Sequence, residues 1–334
     1  MKADEALRRW IDQCRPEMAW KPGTLDAMRA WQDALRMRLR EAVGITRFST
    51  VDTALHVVRE HPGSGYRHFE IAFDSRESCR VNGHLLLPEG IEAPRPGILC
   101  LPGHGVGVDA IVGLAEEPYH ADFALQCVRH GYPTLAIEQC SFGKRRSNDL
   151  FCSCHADSTT ALMLGETATG WRVWDAMRAL DLLSDHPLVD ARRLATMGIS
   201  GGGLTSLWTA ALDERVAVAV VSGYFNTFRD SILSINHCVD NFVPGVLRLC
   251  EMPDFAGLVA PRSLFVEGGE RDDLFPIEAF YRAVSIAEGI YEAFGVPERF
   301  GSEAFEGEHQ FHGARAFAFL EEQFEPSGPP GAFT

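Results

Sequence analysis

Short apolar runs alternate with longer segments of helical periodicity over most of the chain. The apolar runs predict strands, and the segments between them, with apolar residues three or four apart, predict helices. Strands are predicted at residues 97–101, 133–137, 195–199, 216–221, 263–266 and 300–305, and helices at residues 121–130, 171–184, 204–211, 277–286 and 313–324. Wholly apolar strands are typical of a parallel sheet covered on both faces. The alternation therefore predicts an α/β fold with a mostly parallel central sheet and helices on both faces.

The two ends of the chain depart from this alternation. Residues 1–45 predict a helical N-terminal extension, and residues 326–334 predict a tail rich in proline and glycine. Residues 46–325 form the predicted main domain, which opens with an antiparallel strand pair at 66–73 and 79–87.

Two stretches inside the main domain, 139–170 and 222–258, fit neither pattern. Both leave the sheet at the ends of strands, where ligands bind in open α/β folds. They are therefore predicted to line a substrate pocket.

An apolar strand ends directly in a Gly-x-Ser-x-Gly pattern centred on Ser200, and a helical segment follows. Such a strand–turn–helix unit places one side chain at an exposed, strained apex. The flanking Gly198 and Gly202 are small because the strand and the helix must approach each other closely. A serine hydroxyl is a weak nucleophile alone and needs a base and an orienting acid. Ser200 is therefore the candidate nucleophile.

An acid and a histidine follow Ser200 in the chain order that such a nucleophile turn requires. Asp272 and Asp273 lie just past one late strand. His309 and His312 lie just past the last strand. The carboxyl ends of parallel strands share one edge of the sheet, so one aspartate and one histidine are expected to complete a triad with Ser200.

The tetrahedral intermediate of such chemistry needs backbone N–H groups around its negative oxygen. One is expected from Gly201, the residue after the nucleophile. The other is expected from the glycine-rich loop after Leu101, with His104 as the donor. The glycine spacing of this loop is not that of a dinucleotide or phosphate loop, so no nucleotide is predicted.

The motifs at residues 101–105, 198–203, 272–276 and 306–309 resemble the α/β-hydrolase superfamily, in its dienelactone hydrolase-like and acetyl xylan esterase-like branch. The resemblance covers about residues 24–323 and implies an α/β-hydrolase fold.

In those relatives a proline commonly follows the catalytic aspartate four positions on, as Pro276 follows Asp272. Their histidine commonly follows a Gly-x pair, as His309 does. The resemblance thus favours Asp272 and His309 over their neighbours. The loop departs from the family by opening with Pro102 instead of histidine. Dienelactone hydrolases proper use a cysteine nucleophile, so a serine points to ordinary ester hydrolysis.

These observations predict a serine hydrolase that cleaves a small-molecule carboxylic ester through an acyl-enzyme, with no cofactor and no metal. Two alternatives stay open: the same triad acting on an amide or carbon–carbon bond or in acyl transfer, and a non-catalytic scaffold. The sequence defines neither the acyl and alcohol parts of the substrate nor the oligomeric state.

Charge and composition exclude some classes of partner. The net charge of −15 argues against nucleic acid, which needs a basic surface. No apolar run reaches the roughly 20 residues of a membrane span. The charged N-terminus and nine irregularly spaced cysteines predict a cytoplasmic protein with reduced thiols.

A few polar features are left without a role. Cys152 and Cys154 are one residue apart with no second pair at suitable spacing, which predicts loop thiols and no metal site. Cys238 belongs to a further stretch of family similarity. The basic run Lys144–Arg146 is either a solvated loop or a site for an acidic group. Glu138 is expected near the pocket, in a role the sequence does not assign.

Overall fold

The computed structural model describes residues 3–148 and 153–325. Within them the strands form one nine-stranded sheet in the order β1-β2-β3-β5-β4-β6-β7-β8-β9. In chain order the strands are β1 His56–His61, β2 Tyr66–Arg76, β3 Cys79–Pro88, β4 Arg95–Leu101, β5 Thr134–Ile137, β6 Val189–Ile199, β7 Val216–Ser222, β8 Ser263–Gly269 and β9 Phe300–Phe305.

The α-helices of these residues connect the strands and precede the sheet. They are α1 Ala3–Gln13, α2 Leu25–Ala42, α3 Val108–Ile111, α4 Phe123–Arg129, α5 Cys154–Met163, α6 Ala168–Ser184, α7 Gly201–Leu212, α8 Val246–Leu249, α9 Asp254–Val259, α10 Ile277–Ala293 and α11 Ala314–Phe324. In this part of the chain, no helix is both long enough and apolar enough to cross a membrane.

The sheet confirms the predicted mixed architecture. The first four strands across it, from β1 to β5, pair antiparallel. From β5 through β4 to β9, every neighbouring pair is parallel. The sequence does not predict β1, because its residues are almost all exposed and show no alternation of apolar and polar positions.

Apolar side chains cover both faces of the sheet. Leu99 and Leu101 of β4 belong to one buried cluster, and Ile98 and Cys100 belong to the other. This is the alternation that a strand imposes, since successive side chains point to opposite faces. Because both faces are covered by helices, the free edge for ligands is the one where the parallel strands end.

The predicted N-terminal extension shares the main core. Leu35 and Leu39 of α2 are fully buried and lie in the same cluster as Leu207 of α7. The side chain of Gln32 also donates to the carbonyls of Gly257 and Ala260, at the end of α9. The helix that follows Ser200 is thus packed between the sheet and α2.

We expect Leu39→Ala to lower the free energy of unfolding by about 2–5 kcal/mol, because it empties a fully buried position. Met37→Ala is the matched control on the same helix, since Met37 is largely exposed, and it should change stability by less than about 0.5 kcal/mol. Urea denaturation of both variants measures the difference. Equal losses would mean that α2 does not contribute to the core.

Candidate active site

The turn between β6 and α7 holds Ser200 in a conformation that side chains rarely adopt. Its φ is 56° and its ψ is −119°. A Cβ on Gly202 would overlap the carbonyl oxygen of Leu101, and one on Gly198 would overlap that of Gly202. The amide of Ser200 donates to the carbonyl of Ser222 at 2.9 Å, which ties the turn to β7. The glycines therefore allow the close approach, and the side chain of Ser200 stands at the apex.

Asp272 and His309 are brought together by the ends of β8 and β9. Oδ2 of Asp272 lies 2.7 Å from Nδ1 of His309. The other oxygen of Asp272 accepts the N–H groups of Leu274 at 2.8 Å and Phe275 at 3.0 Å. The aspartate is almost completely buried, so its orientation is fixed by these three contacts.

The ring of His309 lies between two aromatic rings. It stacks on Phe275 with centroids 5.6 Å apart and on Tyr119 with centroids 6.0 Å apart. Within the described residues, its Nε2 is buried and has no hydrogen-bond partner. Catalytic hydrogen bonds often tighten only when substrate binds. This free Nε2 is therefore the ring nitrogen that can accept a proton.

The neighbouring candidates lie elsewhere. Asp273 is exposed on the rim of a cleft, not against the histidine. His312 points to Glu303, with Nδ1 3.3 Å from its carboxylate, and stacks on Phe305. The structure thus brings together Asp272 and His309, and not Asp273 and His312.

Four side chains hold the loop of residues 102–108, which we call the oxyanion loop. Gly103 N–H donates to His120, Val106 N–H to Glu117 and Val108 N–H to Glu138, at 3.0, 2.9 and 3.2 Å. The hydroxyl of Tyr119 donates to the carbonyl of His104.

These contacts leave the two predicted donors free. Among the described residues, the amides of His104 and Gly201 have no hydrogen-bond partner. The ring of His104 also packs beside Gly201, with Nδ1 3.1 Å from where a Cβ on Gly201 would stand. The side chain of His104 therefore lies against the residue that follows Ser200.

Residues 117–120 are a part of the site that sequence reasoning missed. They fit no motif, and the only signal was a cluster of polar and aromatic residues after the glycine-rich loop. Burial lowers the pKa of His120 to about 3, so the ring stays neutral and can accept the N–H of Gly103. This short segment supports both the oxyanion loop and the ring of His309.

Glu138 holds the end of the oxyanion loop at Val108. Its carboxylate accepts hydrogen bonds from the N–H groups of Val108 and Lys144, and burial raises its pKa to about 7.

Two cations of the basic run beside Glu138 form ion pairs with carboxylates of this chain. Lys144 Nζ lies 2.9 Å from Glu70, and Arg145 lies 2.7 Å from Asp175. Neither cation is therefore free to bind an acidic substrate group.

A polar cleft of about 780 Å³ opens beside His309. It is lined by Pro118, Tyr119, Arg271, Asp273, Leu274, Glu308, His309 and Gln310. The predicted pocket stretches, 139–170 and 222–258, contribute none of these described residues. Both stretches nevertheless contact residues of the site, since Phe142 contacts the ring of His104 and His237 contacts Phe275. That they line the substrate pocket stays a prediction.

The parallel sheet, the elbow after β6, and the acid and histidine after β8 and β9 are the defining arrangement of an α/β-hydrolase. The chain belongs to the Abhydrolase family, whose model matches residues 5–299.

Named relatives carry related activities. A Bacillus subtilis protein named for a hydrolase, YtaP, is 26% identical over 65% of this chain and 76% of its own length. The 4-O-methyl-glucuronoyl methylesterase 1 of Wolfiporia cocos is 28% identical over 47% of this chain and 43% of its own. The sequence predicts an esterase, and this relative is named as an esterase.

Solved structures share the fold. A Bacteroides fragilis protein assigned as an acetyl xylan esterase superposes with a TM-score of 0.79 at 18% identity, over 99% of this chain and 91% of its own. The glucuronoyl esterase from Solibacter usitatus superposes with a TM-score of 0.67 at 16% identity, over 92% and 97%. These superpositions confirm the predicted α/β-hydrolase fold. The finer resemblance to dienelactone hydrolase-like and acetyl xylan esterase-like proteins stays a prediction.

We expect Gly202→Ala to lower the free energy of unfolding by about 1–3 kcal/mol or more, because the new Cβ would overlap the backbone of Leu101. Gly289→Ala in α10 is the matched control. A Cβ there has no neighbour within 4 Å, so the change should stabilise the helix by up to about 1 kcal/mol. Urea titration of both variants checks this. A Gly202→Ala protein as stable as the control would contradict the tight-turn geometry.

Proposed function

We propose that this chain is a serine esterase that cleaves carboxylic esters through a Ser200–His309–Asp272 triad and an acyl-enzyme. The observation that carries the proposal is the 2.7 Å contact between the buried Asp272 and the half-buried His309, which leaves Nε2 of His309 without a partner among the described residues.

In the first half of the reaction, Ser200 Oγ attacks the ester carbonyl carbon while His309 Nε2 accepts its proton. The carbonyl oxygen becomes negative and accepts hydrogen bonds from the backbone N–H groups of His104 and Gly201. Asp272 stabilises the positive imidazole and keeps its Nδ1–H in place. The tetrahedral intermediate then collapses, and the proton on Nε2 passes to the departing alcohol.

In the second half, water replaces the alcohol. His309 removes a proton from this water, which attacks the acyl group on Ser200, and the same two N–H groups hold the negative oxygen. Collapse releases the carboxylic acid and returns the proton to Ser200. Ester and water are the only reactants, so the chemistry itself needs no cofactor.

The substrate is proposed to be a small ester with a polar alcohol or acyl part. The rim of the cleft carries Arg271, Asp273 and Glu308, a mixed set of charges suited to hydroxyl-rich groups such as sugars. The esters named for the relatives, on acetylated xylan and on methyl-glucuronate, both have this character.

A cytoplasmic location belongs to the same proposal. All eight cysteines of the described residues are free thiols, as a reducing compartment favours. Cell fractionation with an antibody to the chain tests it, and recovery only in the medium would contradict it.

The first experiment is labelling by a fluorophosphonate probe, with the modified residue located by mass spectrometry. Wild type should be labelled at Ser200. Ser200→Ala and His309→Ala should take no label, and both should lose ester turnover by at least about 10⁴-fold. His312→Ala is the matched control and should keep labelling, since His312 faces Glu303.

The outcomes separate the alternatives. A folded wild type without label would favour the non-catalytic scaffold. Suppose that Ser200 is labelled and the enzyme turns over amides or transfers acyl groups to alcohols, but hydrolyses no ester. The triad assignment would then stand, and the proposed reaction would be wrong. A Ser200→Ala variant with full esterase activity would refute the mechanism.

The second experiment distinguishes the two aspartates. Asp272→Asn should lower kcat by about 10⁴-fold, because the asparagine no longer fixes the right tautomer of His309. Asp273→Asn should stay within a few-fold of wild type, since Asp273 is exposed and does not contact the histidine. Steady-state kinetics on an aryl acetate gives both values. Similar losses in both variants would overturn the assignment.

A further inference from the structure

Four side chains of the types that bind metals converge beside the oxyanion loop, and the proposed reaction uses none of these four side chains. They are His104, Cys154, Cys238 and Asp240. One ligand atom from each lies within 4.8 Å of every other. They come from three separate parts of the chain: the loop after β4, the start of α5, and the stretch between β7 and α8.

We propose that this cluster is a structural zinc site, in which Nε2 of His104, the two thiolates and the Asp240 carboxylate hold one Zn²⁺. Two sulfurs, one imidazole and one carboxylate are a donor set that zinc accepts, and four protein ligands make a closed site without catalytic water. The proposal stands independently of the esterase reaction.

The spacing of the donors agrees with tetrahedral coordination. Zinc–ligand bonds of 2.0–2.3 Å place neighbouring donors about 3.3–3.8 Å apart. In the structure, Nε2 of His104 lies 3.0 Å from Oδ2 of Asp240, and Sγ of Cys154 lies 3.3 Å from the same oxygen. These two pairs need shifts of only a few tenths of an ångström, and the other donor pairs lie within 4.8 Å of one another.

Burial distinguishes the cluster from a chance group of surface residues. The Asp240 side chain is fully buried and Cys154 is 2% exposed. His104 and Cys238 are half-buried and leave an entry side for the ion. A dry surrounding strengthens the attraction between the ion and its anionic ligands.

The buried guanidinium of Arg172 contacts two of the proposed ligands and balances their charge. Two thiolates and one carboxylate carry three negative charges, and Zn²⁺ leaves one of them uncompensated. Arg172 is fully buried, pairs with Oδ2 of Asp240, and places Nη2 3.6 Å from Sγ of Cys154. The whole assembly is then neutral, and Arg172 orients two ligands as outer partners of a metal site do.

The proposal differs from the expectation drawn from the sequence, which assigned no metal to Cys154. Cys152 lies outside the described residues, and its near neighbour Cys154 meets Cys238 instead. A spacing of more than eighty residues hides such a site from motif reading. A second group, Glu267, Glu303 and His312, carries no such proposal, because it offers only three ligands and no thiolate.

The test is the zinc content of the full chain, produced with zinc in the medium, dialysed and measured by plasma mass spectrometry. Wild type should hold one zinc per chain. Cys154→Ser, Cys238→Ser and Asp240→Asn should each reduce this at least about tenfold. Cys79→Ser is the matched control, because Cys79 lies outside the cluster, and it should keep the metal.

Cobalt substitution gives a readout that does not depend on activity or on stable variants. Wild type loaded with Co²⁺ should show tetrahedral d–d bands and a sulfur-to-metal charge-transfer band. Zinc should also protect two thiols from a thiol reagent until a chelator is added. Folded wild type that binds neither metal, cobalt spectra without sulfur ligation, or a disulfide between Cys154 and Cys238 would each overturn the proposal.

Discussion

The close approach between the start of α7 and the end of β4 is the constraint on which the site depends. Gly202 lies directly against the carbonyl of Leu101, and this contact permits the left-handed backbone at Ser200. The oxyanion loop begins immediately after Leu101, so the same contact sets the distance between its N–H groups and the nucleophile. One steric fit therefore positions the candidate nucleophile and the loop that carries one candidate donor.

Around this contact, buried and half-buried carboxylates hold the loops through backbone N–H groups. Glu138 and Glu117 bind the oxyanion loop, Asp272 binds the segment after β8, and Glu267 binds the segment that carries His309. Loops that leave a sheet lose the strand ladder, and their buried N–H groups need other acceptors. The carboxylates supply these acceptors and so replace the hydrogen bonds between strands at the edge of the sheet where the site lies.

The sequence predicts the sheet well and offers candidates for a triad, because both rest on local signals. Apolar runs reveal strands buried on both faces, and the elbow glycines reveal the turn at Ser200. The exposed strand β1 lacks that signal. The choice between Asp272 and Asp273 depends on which side chain is buried, and Tyr119 and His120 belong to no motif. The paths of 139–170 and 222–258 depend on long-range packing, which no local pattern encodes.

The packing of α2 against the elbow helix has a consequence for how the chain folds. Gln32 reaches carbonyls that are 225 and 228 residues away along the chain. Contacts of such separation slow folding, since a long loop must close before they form. During synthesis, the apolar face with Leu35 and Leu39 emerges first and waits for partners made much later. The nascent chain thus presents an exposed hydrophobic helix, a natural target for chaperones at the ribosome.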